Sequence, residues 1–196
     1  MTLAWAVVLG FVLGLRHATD ADHVAAIGTM LHREPTKARA ARLAAFWGLG
    51  HTITFAALGI AVIALDVRMP PRFERFAEIA VAAMLVVLGA QTLARLRRPR
   101  AAVARWRPML IGVIHGLAGS AGVSLLALTT ISSRAGALTY LALFGAGTVA
   151  GMVLLTVALS VPLRWGLRRH GSVPHAFIAL AALASMGLGV AIVIRS

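Results

Sequence analysis

Cysteine is absent from the 196-residue chain, and acidic residues are scarce, with six Asp and Glu against nineteen Lys and Arg. Without a thiol there is no Cys nucleophile, no disulfide framework and no Cys-ligated zinc or iron–sulfur centre. Charged residues make up 13% of the chain, whereas roughly a quarter is typical of a soluble domain. Because 60% of the residues are hydrophobic, both a soluble globule and a disordered chain are excluded.

Motifs for ATP hydrolysis and for common hydrolytic enzymes are also missing. The chain has no G-x-x-x-x-G-K-[ST], no H-E-x-x-H and no G-x-S-x-G, which removes the phosphate loop, the zinc-protease helix and the hydrolase nucleophile turn. We therefore predict that the protein is not an enzyme and holds no resident cofactor. Its formal charge of +13 would suggest nucleic acid in a soluble protein. Here the basic residues lie between apolar runs, so we expect a lipid bilayer as partner and no nucleic acid.

Long apolar runs dominate the rest of the sequence. A membrane-crossing helix needs about 20 mostly apolar residues, and six stretches qualify: 3–31, 43–65, 76–94, 109–131, 136–163 and 176–194. They predict an all-α integral membrane protein with about six transmembrane helices, in which residues 1–196 form a single transmembrane permease domain. Read as one helix, the first stretch carries a charged cluster near the middle of the membrane.

The distribution of Lys and Arg predicts the orientation. Loops 1, 3 and 5, which are 32–42, 95–107 and 164–175, hold thirteen basic residues, whereas the alternate segments hold five. Basic residues favour the cytoplasmic side. Both termini are therefore expected outside, in a multi-pass protein of the cell membrane, the inner membrane of a bacterium.

Similar motifs recur in the two halves of the chain, about 1–98 and 99–196, at an offset of about 98 positions. The aligned segments are Gly14–Ala18 with Gly112–Gly116, Phe46–Thr52 with Phe144–Thr148, and Leu88–Gly89 with Met186–Gly187. Three helices in each half would make the second half enter the membrane from the opposite side. This predicts a 3+3 inverted repeat, a plan in which transporters place the substrate near the midplane between the halves. Chance similarity among glycine-rich helices is the alternative.

Five ionisable residues lie within eight positions of the first stretch: Arg16, His17, Asp20, Asp22 and His23. Such residues are costly inside a bilayer and usually face a cavity or a partner. On a regular helix His17, Asp20 and His23 share an arc of about 120°. Asp22 falls on the other side, so either the helix is distorted or Asp22 meets another neighbour, such as an Arg or a second His. Arg16 and Asp20, at i and i+4, are spaced to neutralise each other.

Imidazole and carboxylate groups together favour a divalent first-row metal ion, with Ni²⁺ and Co²⁺ both suited to nitrogen and oxygen donors. The spacing alone leaves two other interpretations open, a proton or ion-pair relay and simple packing.

Four further histidine and hydroxyl positions follow in glycine-rich segments. His51, with Thr52 after it, lies in Gly48–Thr52, and His115 begins a segment that includes Ser120. We take His51 as a candidate ligand, and Thr52, His115 and Ser120, together with Arg16, as supporting residues. A hydrogen bond between helices is the alternative role for each membrane histidine.

The segment Arg16–Val24, with the sequence Arg-His-Ala-Thr-Asp-Ala-Asp-His-Val, resembles the signature of the nickel/cobalt transporter family. That signature is a His, four residues, then Asp-His. His17, Asp22 and His23 match its invariant positions, and Asp20 matches its inner Asp.

Two other segments extend the resemblance. Gly48–Thr52 is similar to the family's Leu-Gly-His-Ser/Thr motif, and residues 115–122 are similar to the His-Gly-Leu-Ala-Gly-Ser segment of the urease-accessory permease branch. The resemblance implies a permease for Ni²⁺ or Co²⁺, which are the transported substrate, with His17, Asp20, Asp22, His23 and His51 as the metal site.

An inside-negative membrane potential favours uptake. A membrane accessory protein that delivers nickel to urease or hydrogenase maturation, and an exporter of small anions, are the alternative functions. A second copy of the chain or an accessory subunit remains open as a partner.

Overall fold

The computed structural model describes residues 3–31, 36–65, 69–96, 106–117, 131, 133–169 and 173–195. All regular secondary structure in these ranges is helical, as the sequence predicts. Seven helices occur in them: α1 Leu3–His17, α2 Ala21–Leu31, α3 Lys37–Leu65, α4 Pro71–Ala94, α5 Arg107–His115, α6 Arg134–Arg169 and α7 Val173–Arg195. The protein is therefore an all-α protein.

Four of these helices are long and apolar enough to cross a membrane: Lys37–Leu65, Pro71–Ala94, Arg134–Leu163 and His175–Arg195. They coincide with four of the six predicted spans. The predicted span 109–131 begins in α5, but residues 118–130 lie outside the described ranges. Large apolar side chains cover the outer surface, among them Ile194 (79% exposed) and Leu154 (65% exposed). Side chains of this kind suit contact with lipid, so the chain is a multi-pass membrane protein.

The stretch 3–31 is not one continuous helix, so the distortion that the helical-wheel position of Asp22 left open does occur. Helix α1 ends at His17 and α2 begins at Ala21. Between them, the backbone N–H groups of Thr19 and Asp20 donate to the carbonyls of Arg16 and His17, at 2.8 and 3.1 Å. These bonds span three residues rather than four and tighten the end of α1. The Thr19 hydroxyl also donates to the Arg16 carbonyl, at 2.6 Å. The regular series of helical hydrogen bonds therefore ends here, and the chain turns into α2.

Helix α1 packs along α6 in parallel. A Cβ atom on Gly10 would lie 2.9 Å from the carbonyl oxygen of Tyr140, and one on Gly14 would collide with the carbonyl oxygen of Phe144. Residue numbers rise together along both helices. Because glycine has no side chain, it lets two helix backbones approach closely. Here the glycines allow the short helix α1 to lie against the long helix α6.

Helix α5 packs along α3 in the same way. Gly112 faces the carbonyl oxygen of Trp47, and Gly116 faces that of His51, so this pair is also parallel. The sequence contains three GxxxG pairs, and all of them lie at contacts between helices: Gly10/Gly14, Gly112/Gly116 and Gly147/Gly151.

The remaining long helices pair in opposite directions. A Cβ atom on Gly89 of α4 would lie 2.5 Å from the Ala182 carbonyl oxygen, and one on Gly189 of α7 would lie 2.6 Å from that of Ala82. Within this antiparallel pair the Ser185 hydroxyl donates to the Leu85 carbonyl at 2.9 Å. Helices α3 and α6 are antiparallel too, since Gly48 faces Met152 while Thr52 faces Gly145.

Substitution of Gly147 by Ala tests the closeness of these contacts. Its Cβ atom would collide with the carbonyl oxygen of Phe11, which belongs to a rigid helix backbone. Crowding of this kind costs about 1–3 kcal/mol, so we expect Gly147→Ala to lower the melting temperature of the purified protein in detergent. Gly187→Ala is the matched control, because nothing lies within 4 Å of the added atom. The control should match or exceed the wild type, since Ala favours a helix by up to about 1 kcal/mol over Gly. Equal melting temperatures for the two variants would contradict the packing described.

Candidate metal site

Four histidine rings from four helices meet in the interior of the protein. The break after α1 places His17 at one side of this cluster and His23, in the first turn of α2, at its centre. The ring centroid of His23 lies 4.5 Å from that of His17, 4.3 Å from that of His115 and 5.2 Å from that of His51. None of the four residues is more than 5% exposed. Residues far apart in the chain thus form one buried cluster of imidazoles.

Three of these residues, His17, His23 and His51, form what we call the three-histidine group. One nitrogen of each lies within 4.8 Å of the others, and the Nε2 atoms of His17 and His51 are 3.1 Å apart. On its other side, the ring of His17 donates from Nδ1 to the Asp20 carboxylate at 2.9 Å. A carboxylate behind a histidine fixes the ring orientation and leaves the opposite nitrogen available as a ligand.

A second set, Asp22, His23 and His115, forms what we call the aspartate group, whose ligand atoms also lie within 4.8 Å of one another. Oδ1 of Asp22 accepts from the backbone N–H of His23 at 2.9 Å and from its Nδ1 at 3.0 Å. Oδ2 accepts from Nε2 of His115 at 3.1 Å. The position of Asp22 on a helical wheel left an arginine or a second histidine as its neighbour. Among the described residues this neighbour is a histidine, His115.

Several nitrogens in the cluster have no hydrogen-bond partner among the described residues: His23 Nε2, His51 Nδ1 and His115 Nδ1. Buried polar atoms are nearly always paired, because water is absent and each unmet bond costs free energy. Unpaired nitrogens on three histidines of one buried cluster leave ligand atoms free for a cation.

The C-terminal ends of two helices also favour a cation at the cluster. Helices α1 and α5 both end at the cluster, at His17 and His115. The C-terminal end of a helix carries a partial negative charge, which favours a cation. Ends of broken membrane helices are used in this way by ion transporters. Together with two nearby carboxylates, the site is arranged for positive charge and against an anion.

Two aromatic rings pack against the histidine cluster. The Phe144 ring lies 5.4 Å from His17, and the Trp47 ring lies 5.5 Å from His23 and 5.7 Å from His115. Both aromatic side chains are fully buried. They make the surroundings apolar and keep bulk water away, so electrostatic interactions within the cluster are strong. Sequence reasoning did not single out either ring, although the aligned segments of the two halves contain both.

The supporting residues fall in different places. The suggested pairing of Arg16 with Asp20 is wrong, since no ion pair joins them within the described residues; Arg16 is exposed and Asp20 bonds to His17. The Thr52 hydroxyl donates to the Gly145 carbonyl at 3.4 Å and so links α3 to α6. His115 lies in the cluster itself, in contact with Asp22. Ser120 lies outside the described residues.

Comparison with known proteins agrees with this geometry. Residues 3–107 match the model of the NicO family, described as high-affinity nickel-transport protein. The chain is also 30% identical over 200 residues to the urease accessory protein UreH of Bacillus sp. (strain TB-90), an alignment that covers 93% of this chain and 87% of that protein. No solved structure matches the chain. The resemblance noted in the sequence is confirmed, and the chain belongs to the NicO family of nickel-transport proteins.

Proposed function

We propose that the protein is a permease that carries Ni²⁺ or Co²⁺ through the membrane, with His17, Asp20, Asp22, His23 and His51 as its metal site. The observation that carries this proposal is the convergence of buried imidazole nitrogens, three of them without a partner among the described residues, between helices of a membrane protein. The family match supports the same substrate. The ion is cargo, and no resident cofactor is needed.

The donor chemistry favours a first-row transition metal over Mg²⁺ or Ca²⁺, which prefer all-oxygen ligands. Two nitrogens bound at about 2.1 Å stand roughly 3.0 Å apart at a right angle and roughly 3.4 Å apart in a tetrahedron. The Nε2 atoms of His17 and His51 are 3.1 Å apart, close enough for one ion to bind both.

The single domain over residues 1–196 would contain six spans arranged as a 3+3 inverted repeat, with halves of about 1–98 and 99–196. In support of this, contacts between helices recur in pairs that the repeat relates: Gly14 on Phe144 with Gly112 on Trp47, Gly147 on Phe11 with Gly50 on Met109, and Gly89 on Ala182 with Gly189 on Ala82. Helix caps recur in related positions as well. The Thr36 hydroxyl accepts from the N–H group of Arg39, and the Ser133 hydroxyl accepts from the N–H group of Gly136.

Helix directions support inversion in particular. Helix α6 runs opposite to its counterpart α3, and α7 runs opposite to α4. Helix α5 is parallel to α3, and α1 is parallel to α6, so α5 runs opposite to α1. Each described helix of the second half is thus reversed relative to its counterpart in the first. Transporters of this plan expose a central site to either side by rocking one half against the other.

The driving force would be the membrane potential, because the sequence has no phosphate loop. A potential of 100 mV, inside negative, favours the entry of each positive charge by about 2.3 kcal/mol, and that of a divalent cation by about twice as much. This favours uptake.

A second function, delivery of nickel to enzyme maturation, is favoured by the name of the relative, a urease accessory protein. It differs from a permease in that metal would bind without crossing the membrane. An exporter of small anions fits poorly, since the cluster combines two carboxylates with two helix C-termini, and Arg16 is exposed away from it. An enzymatic role has no support in the cluster, which offers ligands but no hydroxyl or thiol nucleophile among the described residues.

Nickel flux into proteoliposomes tests the permease directly. We expect wild-type vesicles to take up Ni²⁺ when the interior is negative. His23→Gln should reduce the flux by at least about tenfold, because the central imidazole of the cluster is lost. Thr156→Val is the control, since this buried hydroxyl bonds only to the Met152 carbonyl of its own helix. Binding without flux in the wild type would instead favour the delivery function.

We propose further that both termini lie outside the inner membrane of a bacterium, as the basic loops indicate. Because the chain has no native cysteine, single cysteines report orientation without background. A membrane-impermeant maleimide should label Ser133→Cys on intact cells, and should label Thr36→Cys only after the membrane is opened. Both positions are exposed. The reverse pattern would place the termini in the cytoplasm.

A further inference from the structure

The site itself follows the proposed repeat. His17 and His115 correspond at an offset of 98 positions, and each ends a short helix that stops at the cluster. Each ring packs on an aromatic partner, Phe144 for His17 at 5.4 Å and Trp47 for His115 at 5.7 Å. These two aromatic residues also correspond, at an offset of 97. His17 and His115 are therefore equivalent positions of the two halves.

His23 lies between the two equivalent histidines. Its ring centroid is 4.5 Å from that of His17 and 4.3 Å from that of His115. It belongs both to the three-histidine group and to the aspartate group, and it is the one residue that the groups share. Its Nδ1 is held by Asp22, while its Nε2 has no partner in the described part of the chain. His23 thus keeps one nitrogen without a partner and is a member of both groups.

We propose that the transported cation occupies these two groups in turn, and that it keeps His23 as a ligand while it exchanges His17 and His51 for Asp22 and His115. This inference rests on the proposed permease function and assigns His115 as a ligand of a second metal position. The two groups share His23, and one imidazole nitrogen has a single lone pair and ligates one ion at a time, so the groups are not filled together. The protein therefore binds one ion per chain.

The two positions differ in ligand type. The three-histidine group offers three imidazoles, with the Asp20 carboxylate behind His17, whereas the aspartate group offers the carboxylate of Asp22 itself. In the proposed orientation, α1 descends from outside to His17, and α5 rises from the cytoplasm to His115. Uptake then moves the ion from the three-histidine group, reached from outside, to the aspartate group on the cytoplasmic side. Keeping one ligand throughout avoids releasing a bare cation into a dry interior.

The test compares His17→Gln with His115→Gln, with Thr156→Val as the control for folding. Glutamine removes the imidazole but still offers an amide N–H to the carboxylate that each histidine contacts. Equilibrium dialysis against Ni²⁺ alone should give one ion per chain for the wild type and for both variants, because each variant keeps one complete group. In proteoliposomes both variants should lose at least about tenfold in maximal flux, and added Ni²⁺ should not restore it. Metal-free melting temperatures close to that of Thr156→Val would show that the variants fold.

Two results would overturn the inference. Wild-type flux in His115→Gln would show that His115 is not a ligand on the path. If flux in both variants returned to the wild-type maximum at high Ni²⁺, one mixed site would account for the cluster. Failure of the proposed function itself is a different result, namely no Ni²⁺ flux in the wild type. In that case the dialysis still tests the two groups, since a single site made of His17, His23 and His51 predicts loss of binding in His17→Gln and full binding in His115→Gln.

Discussion

The carboxylate of Asp22 joins the two halves of the protein at its centre. It accepts hydrogen bonds from His23, beside it in the chain, and from His115, 93 residues away. A carboxylate within a membrane protein is costly unless it is paired, so the approach of α5 to α2 is what makes Asp22 tolerable. The break after His17 is equally necessary, because it sets how His17 in α1 lies relative to Asp22 and His23, which both belong to α2. The fold thus brings two histidines to Asp22, and their hydrogen bonds offset the cost of placing its carboxylate inside a membrane protein.

Glycine contacts determine how closely the elements of the cluster approach. His51 and His115 have ring centroids 5.8 Å apart because Gly112 and Gly116 let α5 lie directly on the backbone of α3. On the other side, Gly14 does the same for α1 and α6, which brings Phe144 against His17. Helix association in lipid gains little from the hydrophobic effect, since lipid is as apolar as the helix surfaces, and it depends instead on close packing. The same small residues that hold the bundle together therefore position the ligands.

Much of this arrangement could be predicted from the sequence, and the exceptions have physical causes. Apolar length identified the four long helices, and the cost of charge in lipid singled out His17, Asp20, Asp22 and His23. The break at 18–20 could not be placed, because helical periodicity describes only regular segments and the bonds of Thr19 and Asp20 are local. Arg16 was expected beside Asp20 on a regular helix, and the break removes that spacing.

His115 was assigned a supporting role because it stands alone among glycines, without the neighbouring acids that mark His17 and His23. Its partner Asp22 is distant in sequence, so only the fold brings the two together. The alignment of the halves contained part of the signal, since it placed His17 over His115 and set the segment with Trp47 against the segment with Phe144. For the last helices of the two proposed repeats, the contacts pair Gly89 with Gly189 rather than with Gly187, whose added Cβ atom would meet nothing within 4 Å. Motif similarity and contact equivalence thus differ by two positions there.

X-ray absorption at the nickel K edge of the purified, nickel-loaded protein tests most directly whether these buried imidazoles hold the ion. The account predicts two or three imidazole nitrogens at about 2.1 Å, the distance usual for a metal–histidine bond. A shell of oxygen atoms alone, as in hydrated Ni²⁺, would contradict it.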